Sequence, residues 1–159
     1  MKKRIVWTYL VAALLMATLA FIWGNSMESI PDSQQKSLWV LKLLQPVLEA
    51  FAGKGNATDH LVRKLAHFVE FGALGCELAV LAALRGRVGW QAAVNCLSAG
   101  LAVAVTDEAI QIFFARGAQV QDILLDFAGA ATGIALTLLL CAVILRRAGA
   151  SAGRGRQKG

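Results

Sequence analysis

The chain has 159 residues, of which 57% are hydrophobic and 16% are charged, and its formal net charge is +6. A soluble domain is typically about 45–50% apolar and about 25% charged, so this composition favours a single compact domain in a lipid bilayer. The basic residues form no stripe interleaved with aromatics, which argues against a nucleic-acid surface. The three cysteines, Cys76, Cys96 and Cys141, include no CxxC pair, so neither a disulfide framework nor a zinc site is indicated.

The first predicted element is an apolar stretch from Ile5 to Trp23, which is long enough to cross a bilayer. The basic residues Lys2, Lys3 and Arg4 precede it, as they would in a signal peptide. This stretch is longer than the usual apolar region of a signal peptide, and no small-x-small cleavage site follows. We therefore predict an uncleaved membrane span.

The next element is an amphipathic helix in the long connection of residues 25–60. From Ser37 to Phe51 the polar residues Lys42, Gln45 and Glu49 fall on one helical face. The segment is too short and too charged to span, and Pro46 is expected to interrupt or kink it. Such a pattern predicts a helix that lies in the membrane interface.

Three more spans follow in the second half of the chain. They run from about Lys64 to Leu84, from Trp90 to Ala115 and from Asp122 to Leu145. In the last of them Gly129 and Gly133 form a small-xxx-small face, which is typical of close helix packing in membranes.

Basic residues are concentrated at the N-terminus, in the turn containing Arg85 and Arg87, and in the C-terminal tail. By the positive-inside rule these parts are cytoplasmic and the other two loops are outside. We therefore predict an all-α polytopic membrane bundle of four spans plus one outer interfacial helix, in the cytoplasmic (inner) membrane. Residues 1–147 would form the transmembrane domain and residues 148–159 a disordered basic tail with the C-terminus in the cytoplasm.

The spans carry an unusual load of polar side chains, although ionisable groups inside a membrane cost roughly 2.5–3.5 kcal/mol each. With the predicted topology, most of them fall toward the outer ends of the last three spans, where they would meet at one level. These candidate ligand-binding residues are Lys64, His67, Glu70, Asp107, Glu108, Gln111, Arg116, Asp122 and Asp126. Several pairs are three or four residues apart and so share a helix face. We predict a polar pocket that opens outward beneath the interfacial helix.

Two blocks of this sequence resemble the VanZ-like membrane proteins. The first block is Lys64-x-x-His67-Phe68-x-Glu70-Phe71, in which Phe71 stands where the family usually has tyrosine. The second is Asp107-Glu108-x-x-Gln111, then Arg116, then Asp122-x-x-x-Asp126-x-x-Gly129-x-x-x-Gly133, with Asp126 at a position often held by asparagine. The family takes its name from a protein linked to low-level resistance to teicoplanin, a glycopeptide that binds cell-wall precursors. The resemblance thus implies a cell-envelope context rather than a particular reaction.

Three interpretations of the polar residues remain open. In the first, the pocket binds an envelope lipid or a glycopeptide-related ligand without chemistry, and membrane lipids are the other partners. In the second, the protein is an enzyme acting on a lipid-linked precursor. His67 would then be the acid/base, Glu70 or Asp122 would orient it, and Arg116 and Lys64 would hold a phosphate or carboxylate. In the third, the polar groups are a structural network between helices.

We expect no cofactor and no transition-metal site. No cysteine lies near His67, and the other histidine, His60, is a turn or two outside it. If a divalent cation bound, Asp107, Glu108 and Asp126 would be the carboxylates to hold it.

Overall fold

The computed structural model describes residues 2–28, 30–53, 57–114 and 119–156. Within these ranges the chain forms five α-helices and no strand, as the sequence predicted. The helices are α1 (Lys2–Ser26), α2 (Ile30–Ala52), α3 (Asp59–Leu84), α4 (Trp90–Phe113) and α5 (Val120–Arg156).

Four of the helices are long and apolar enough to cross a membrane, which confirms the predicted number of spans. They are α1, α3, α4 and the Val120–Ile144 part of α5, each of 24 to 26 residues. At 1.5 Å per residue such helices are roughly 36–39 Å long, which exceeds the hydrocarbon thickness of about 30 Å. Large apolar side chains such as Leu14, Val105 and Leu139 are exposed on the outside of the bundle, where they would face lipid.

Helix α2 is the predicted amphipathic helix, and it is longer than expected because it begins at Ile30. Pro46 lies inside it, and the helix continues to Ala52, so the proline does not interrupt the helix. Helix α2 packs mainly on α3. Trp39 and Leu43 are among its exposed apolar side chains, as expected for a helix lying in the membrane interface.

The closest packing in the bundle is between α3 and α5, which enter it from the same end and run parallel. Glycines allow their backbones to touch. A Cβ atom added to Gly133 would lie 2.0 Å from the carbonyl oxygen of Gly72, and one added to Gly129 would lie 2.4 Å from that of Phe68. The predicted packing role of Gly129 and Gly133 is confirmed. Gly75, where a Cβ atom would lie 2.1 Å from the Ala130 carbonyl oxygen, extends the same contact. We call it the α3–α5 seam.

The C-terminal part of helix α1 packs over the α3–α5 seam. Ile22 is buried in one apolar cluster with Phe71, Leu74, Ala104 and Ala130. Four helices therefore contribute to one core, and this core lies directly beneath the polar residues described below. Phe71 is completely buried there, so the absence of a tyrosine hydroxyl at this position suits its apolar surroundings.

Beyond its apolar part, α5 continues as a helix to Arg156. Residues 148–156, which the sequence assigned to the basic tail, are helical here and continue α5. Extending an existing helix needs no new nucleus. The division of the chain into residues 1–147 and a separate tail of 148–159 stays a prediction.

Candidate functional site

Polar side chains from four helices meet at the end of the bundle where α1 and α4 end and α3 and α5 begin. We call this group the polar network. His67 lies eight residues inside α3, about 12 Å at 1.5 Å per residue. Asp107 lies six residues before the end of α4, and Asp126 six residues after the start of α5, about 9 Å in each case. The opposite helix directions therefore bring these residues to one level.

Asp107 lies at the centre of the network and is completely buried. One carboxylate oxygen accepts a 2.6 Å hydrogen bond from the Ser26 hydroxyl, and the other accepts a 2.9 Å bond from the Gln111 side-chain amide. Gln111 is one helical turn from Asp107, as the sequence predicted, and its amide also reaches Ser26 at 3.5 Å. Asp107 is thus held from two helices.

His67 and Asp126 face one another across the α3–α5 seam. The His67 Nδ1 atom and an Asp126 carboxylate oxygen are 3.4 Å apart, which is longer than a normal hydrogen bond. Neither oxygen of Asp126 has a hydrogen-bond partner among the described residues, although this side chain is only 1% exposed. The sequence suggested Glu70 or Asp122 as the carboxylate that orients His67, whereas the structure brings Asp126 against it.

Asp107 completes a triangle with this pair. Potential ligand atoms of His67, Asp107 and Asp126 all lie within 4.8 Å of one another. Three helices thus converge on one point, although the residues are 19 to 59 positions apart in the sequence.

Glu70, one turn further along α3 than His67, is bonded to α1. The Asn25 side-chain amide donates a 3.3 Å hydrogen bond to its carboxylate. The sequence analysis missed Asn25 and Ser26 as network residues. Their position at the polar end of a span could have indicated them, and Ser26 also belongs to a Ser-rich segment that weakly resembles the VanZ-like proteins.

The edge of the network is partly open. Lys64 and Asp122 form an ion pair at 3.4 Å, and their side chains are 32% and 31% exposed. Glu108 is buried beside them and accepts a hydrogen bond from the backbone amide of Gln119. Arg116, the remaining predicted site residue, lies outside the described residues.

Glu77 lies apart from the network, about two turns deeper in α3 than Glu70. Its carboxylate accepts a 2.8 Å hydrogen bond from the Thr18 hydroxyl of α1. Asn95 of the neighbouring helix α4 accepts a hydrogen bond from Gln91 on its own helix. Helix α1 is the nearer neighbour of Glu77 because it packs along α3.

A separate open groove of about 750 Å³ lies between α2 and the connection that follows α1. Its lining is Glu28, Gln35, Lys36, Trp39 and Val40. Lys36 and Glu28 form an ion pair across it. Glu28 follows Ser26 by two residues, so the groove begins near the polar network.

Comparison with curated proteins and with solved structures finds no significant match. The family described as VanZ/LLP1 does match, over residues 6–142. That range covers nearly all residues of the four apolar spans and the whole polar network. The chain therefore belongs to the VanZ/LLP1 family of membrane proteins.

Proposed function

We propose that this protein binds an envelope lipid or a glycopeptide-related ligand at the polar end of its bundle. The ligand would contact the polar network and the adjoining groove from outside the cytoplasmic membrane. Family membership and four apolar spans support a membrane role, and the arrangement of the network supports ligand binding.

The observation that carries this proposal is the unused hydrogen-bonding capacity of the network. Among the described residues, eight buried side-chain atoms lack a hydrogen-bond partner, and five of them belong to the network. Those five are His67 Nδ1, Glu108 Oε2, Asp122 Oδ1 and both carboxylate oxygens of Asp126. Asp122 Oδ1 lies 3.4 Å from Lys64 Nζ, and His67 Nδ1 lies 3.4 Å from one Asp126 oxygen, so these atoms are in ion-pair range but make no good hydrogen bond. Buried polar atoms in proteins are normally satisfied, so a purely structural network would leave fewer of them unused.

The chemistry of these atoms defines the kind of ligand. Four of the five are carboxylate oxygens. They accept hydrogen bonds, so a matching ligand would offer hydroxyl, amide or ammonium donors. Lys64 at the open edge supplies the positive charge for a phosphate or carboxylate. The exposed Trp39 beside the groove offers apolar contact. Lipids and glycopeptides both combine hydrogen-bond donors, an anionic group and apolar parts.

An enzyme acting on a lipid-linked precursor is the second candidate. The arrangement of His67 against Asp126 favours it, because a carboxylate beside one imidazole nitrogen orients the ring for proton transfer by the other. Loss of turnover in His67→Gln, with ligand binding retained, would support catalysis over binding alone.

Native mass spectrometry of the detergent-purified protein tests the binding proposal. We expect a discrete lipid or ligand adduct on the wild type that Asp122→Asn loses. Glu77→Gln is the matched control, because Glu77 is also a carboxylate inside the bundle but lies outside the network. An adduct present in all three proteins, or in none, would contradict the proposal.

Tolerance to teicoplanin is the cellular role that we propose. A host strain expressing the wild type should grow at a higher teicoplanin concentration than the same strain with an empty vector. Asp122→Asn should remove this difference and Glu77→Gln should keep it, at equal amounts of protein in the membrane. Equal growth of all strains would argue against this role.

The proposal also requires the polar end to face outward, with both termini in the cytoplasm. In a background with Cys76, Cys96 and Cys141 changed to alanine, Gln119→Cys should react with an impermeant thiol reagent in whole cells. Arg87→Cys should react only after the membrane is opened, because it lies at the other end of the bundle. The reverse labelling pattern would place the network on the cytoplasmic side.

A further inference from the structure

We infer that His67, Asp107 and Asp126 form a binding site for one divalent transition-metal cation. The three residues come from α3, α4 and α5 and meet in the buried part of the polar network. The ion would use atoms of His67 and Asp126 that also support the ligand proposal, but its binding can be measured without any organic ligand.

The geometry suits a single ion. The potential ligand atoms of the three residues lie within 4.8 Å of one another. Bonds of about 2.0–2.2 Å from one ion put any two ligand atoms at most about 4.4 Å apart. The three atoms therefore lie close to the separations that one ion requires.

The surroundings of Asp126 are a second observation, separate from the ligand-atom distances, that points to an ion at this position. Its side chain is 1% exposed, it is directed at His67, and both of its oxygens lack a hydrogen-bond partner among the described residues. A buried carboxylate is costly unless hydrogen bonds, a counter-charge or a metal ion compensate it. The 3.4 Å approach of His67 is too long to be a good hydrogen bond, so it gives only partial compensation.

The charges also balance with a divalent ion. Two ionised carboxylates and a neutral imidazole carry a charge of −2, which one divalent cation neutralises. The neighbouring lysine, Lys64, is paired with Asp122 at the exposed edge. Within the described part of the chain, His67 is the basic side chain in ion-pair range of Asp126.

Supporting hydrogen bonds already hold one ligand in place. Ser26 and Gln111 donate to the two oxygens of Asp107. Such outer hydrogen bonds orient metal-binding carboxylates and are a regular feature of metal sites. Each Asp107 oxygen can still use a second lone pair for the ion.

The donor set favours a transition metal over calcium or magnesium. An imidazole nitrogen suits Zn²⁺, and the two carboxylates also suit Mn²⁺, whereas Ca²⁺ and Mg²⁺ prefer oxygen ligands throughout. Three protein ligands leave at least one coordination position for water or a ligand group. This set differs from the three carboxylates suggested by the sequence, because Glu108 is directed toward the backbone of Gln119.

Metal titration of the purified full-length protein tests the inference. The protein in detergent is stripped with a chelator and titrated separately with ZnCl₂ and MnCl₂, and bound metal is measured after gel filtration. We expect one equivalent of metal for the wild type and for the control Glu77→Gln. Asp126→Asn and His67→Gln should bind at least about tenfold more weakly.

Thermal unfolding separates a metal site from a simple ion pair between His67 and Asp126. In chelator, Asp126→Asn should be at least as stable as the wild type, because it removes a buried charge. Added Zn²⁺ should raise the unfolding temperature of the wild type but not that of Asp126→Asn. No retained metal and no Zn²⁺-dependent shift in the wild type would overturn the inference, even if the variants failed to fold. Asp126→Asn that binds metal like the wild type would also overturn it.

Discussion

Helices α3 and α5 contain two contrasting regions within a few turns of each other. In the α3–α5 seam, glycines bring two backbones into direct contact, so the seam has almost no spare space. In the polar network, the same two helices present charged side chains whose hydrogen-bonding capacity is partly unused. The seam is built for close packing and fixes the distance between the helices. Because this distance is fixed, His67 of α3 and Asp126 of α5 are held opposite each other in the network.

The largest expected effect comes from changing the seam. Gly133→Ala should lower the free energy of unfolding by about 3 kcal/mol, since a new Cβ atom would meet the Gly72 carbonyl oxygen at 2.0 Å. Unfolding by denaturing detergent measures this change. Gly24→Ala is the control, because nothing lies within 4 Å of a Cβ atom there. It should be neutral or slightly stabilising. Equal stability of the two variants would mean that the seam is looser than described.

A smaller effect is expected where α1 joins the network. Ser26→Ala removes a 2.6 Å hydrogen bond to the buried Asp107 carboxylate, which should cost about 2 kcal/mol of unfolding free energy. Thr132→Ala is the control, because its hydroxyl bonds only within its own helix. If both variants lost the same amount, the Asp107 contact would have no special importance.

The hydrogen bond of Glu77 should contribute less. Thr18→Val removes a side-chain bond between α1 and α3 in the middle of the bundle, and such bonds are worth about 0.6 kcal/mol on average in membranes. This variant should keep ligand and metal binding, because Glu77 is outside the network. Loss of binding in Thr18→Val would show that the middle of the bundle is coupled to the polar end.

The smallest effect on stability is expected at the open edge. Lys64→Met breaks an ion pair with Asp122 whose side chains are 32% and 31% exposed, which should lower the free energy of unfolding by about 0.5 kcal/mol or less. The same change should nevertheless remove the adduct seen by native mass spectrometry, because Lys64 supplies positive charge for the ligand. A variant that is unchanged in both measurements would exclude Lys64 from the site.

Several features of this protein could be predicted from the sequence because they depend on local patterns. Four apolar stretches of sufficient length predict four spans, since a bilayer demands continuous apolar surface. Helical spacing predicted that Asp107 and Gln111 share a face, and it singled out Gly129 and Gly133 as packing positions. Each of these is a property of one helix.

Contacts between helices depended on the tertiary structure. The rotation of each span about its own axis decides which polar residues meet, and this rotation is set by packing on the neighbouring helices. The glycine contacts of the seam therefore placed Asp126, rather than Glu70 or Asp122, opposite His67. The packing of α1 likewise brought Ser26 to Asp107 and Thr18 to Glu77. The sequence by itself determined which residues are polar and at what depth they lie, whereas close packing between helices decided their partners.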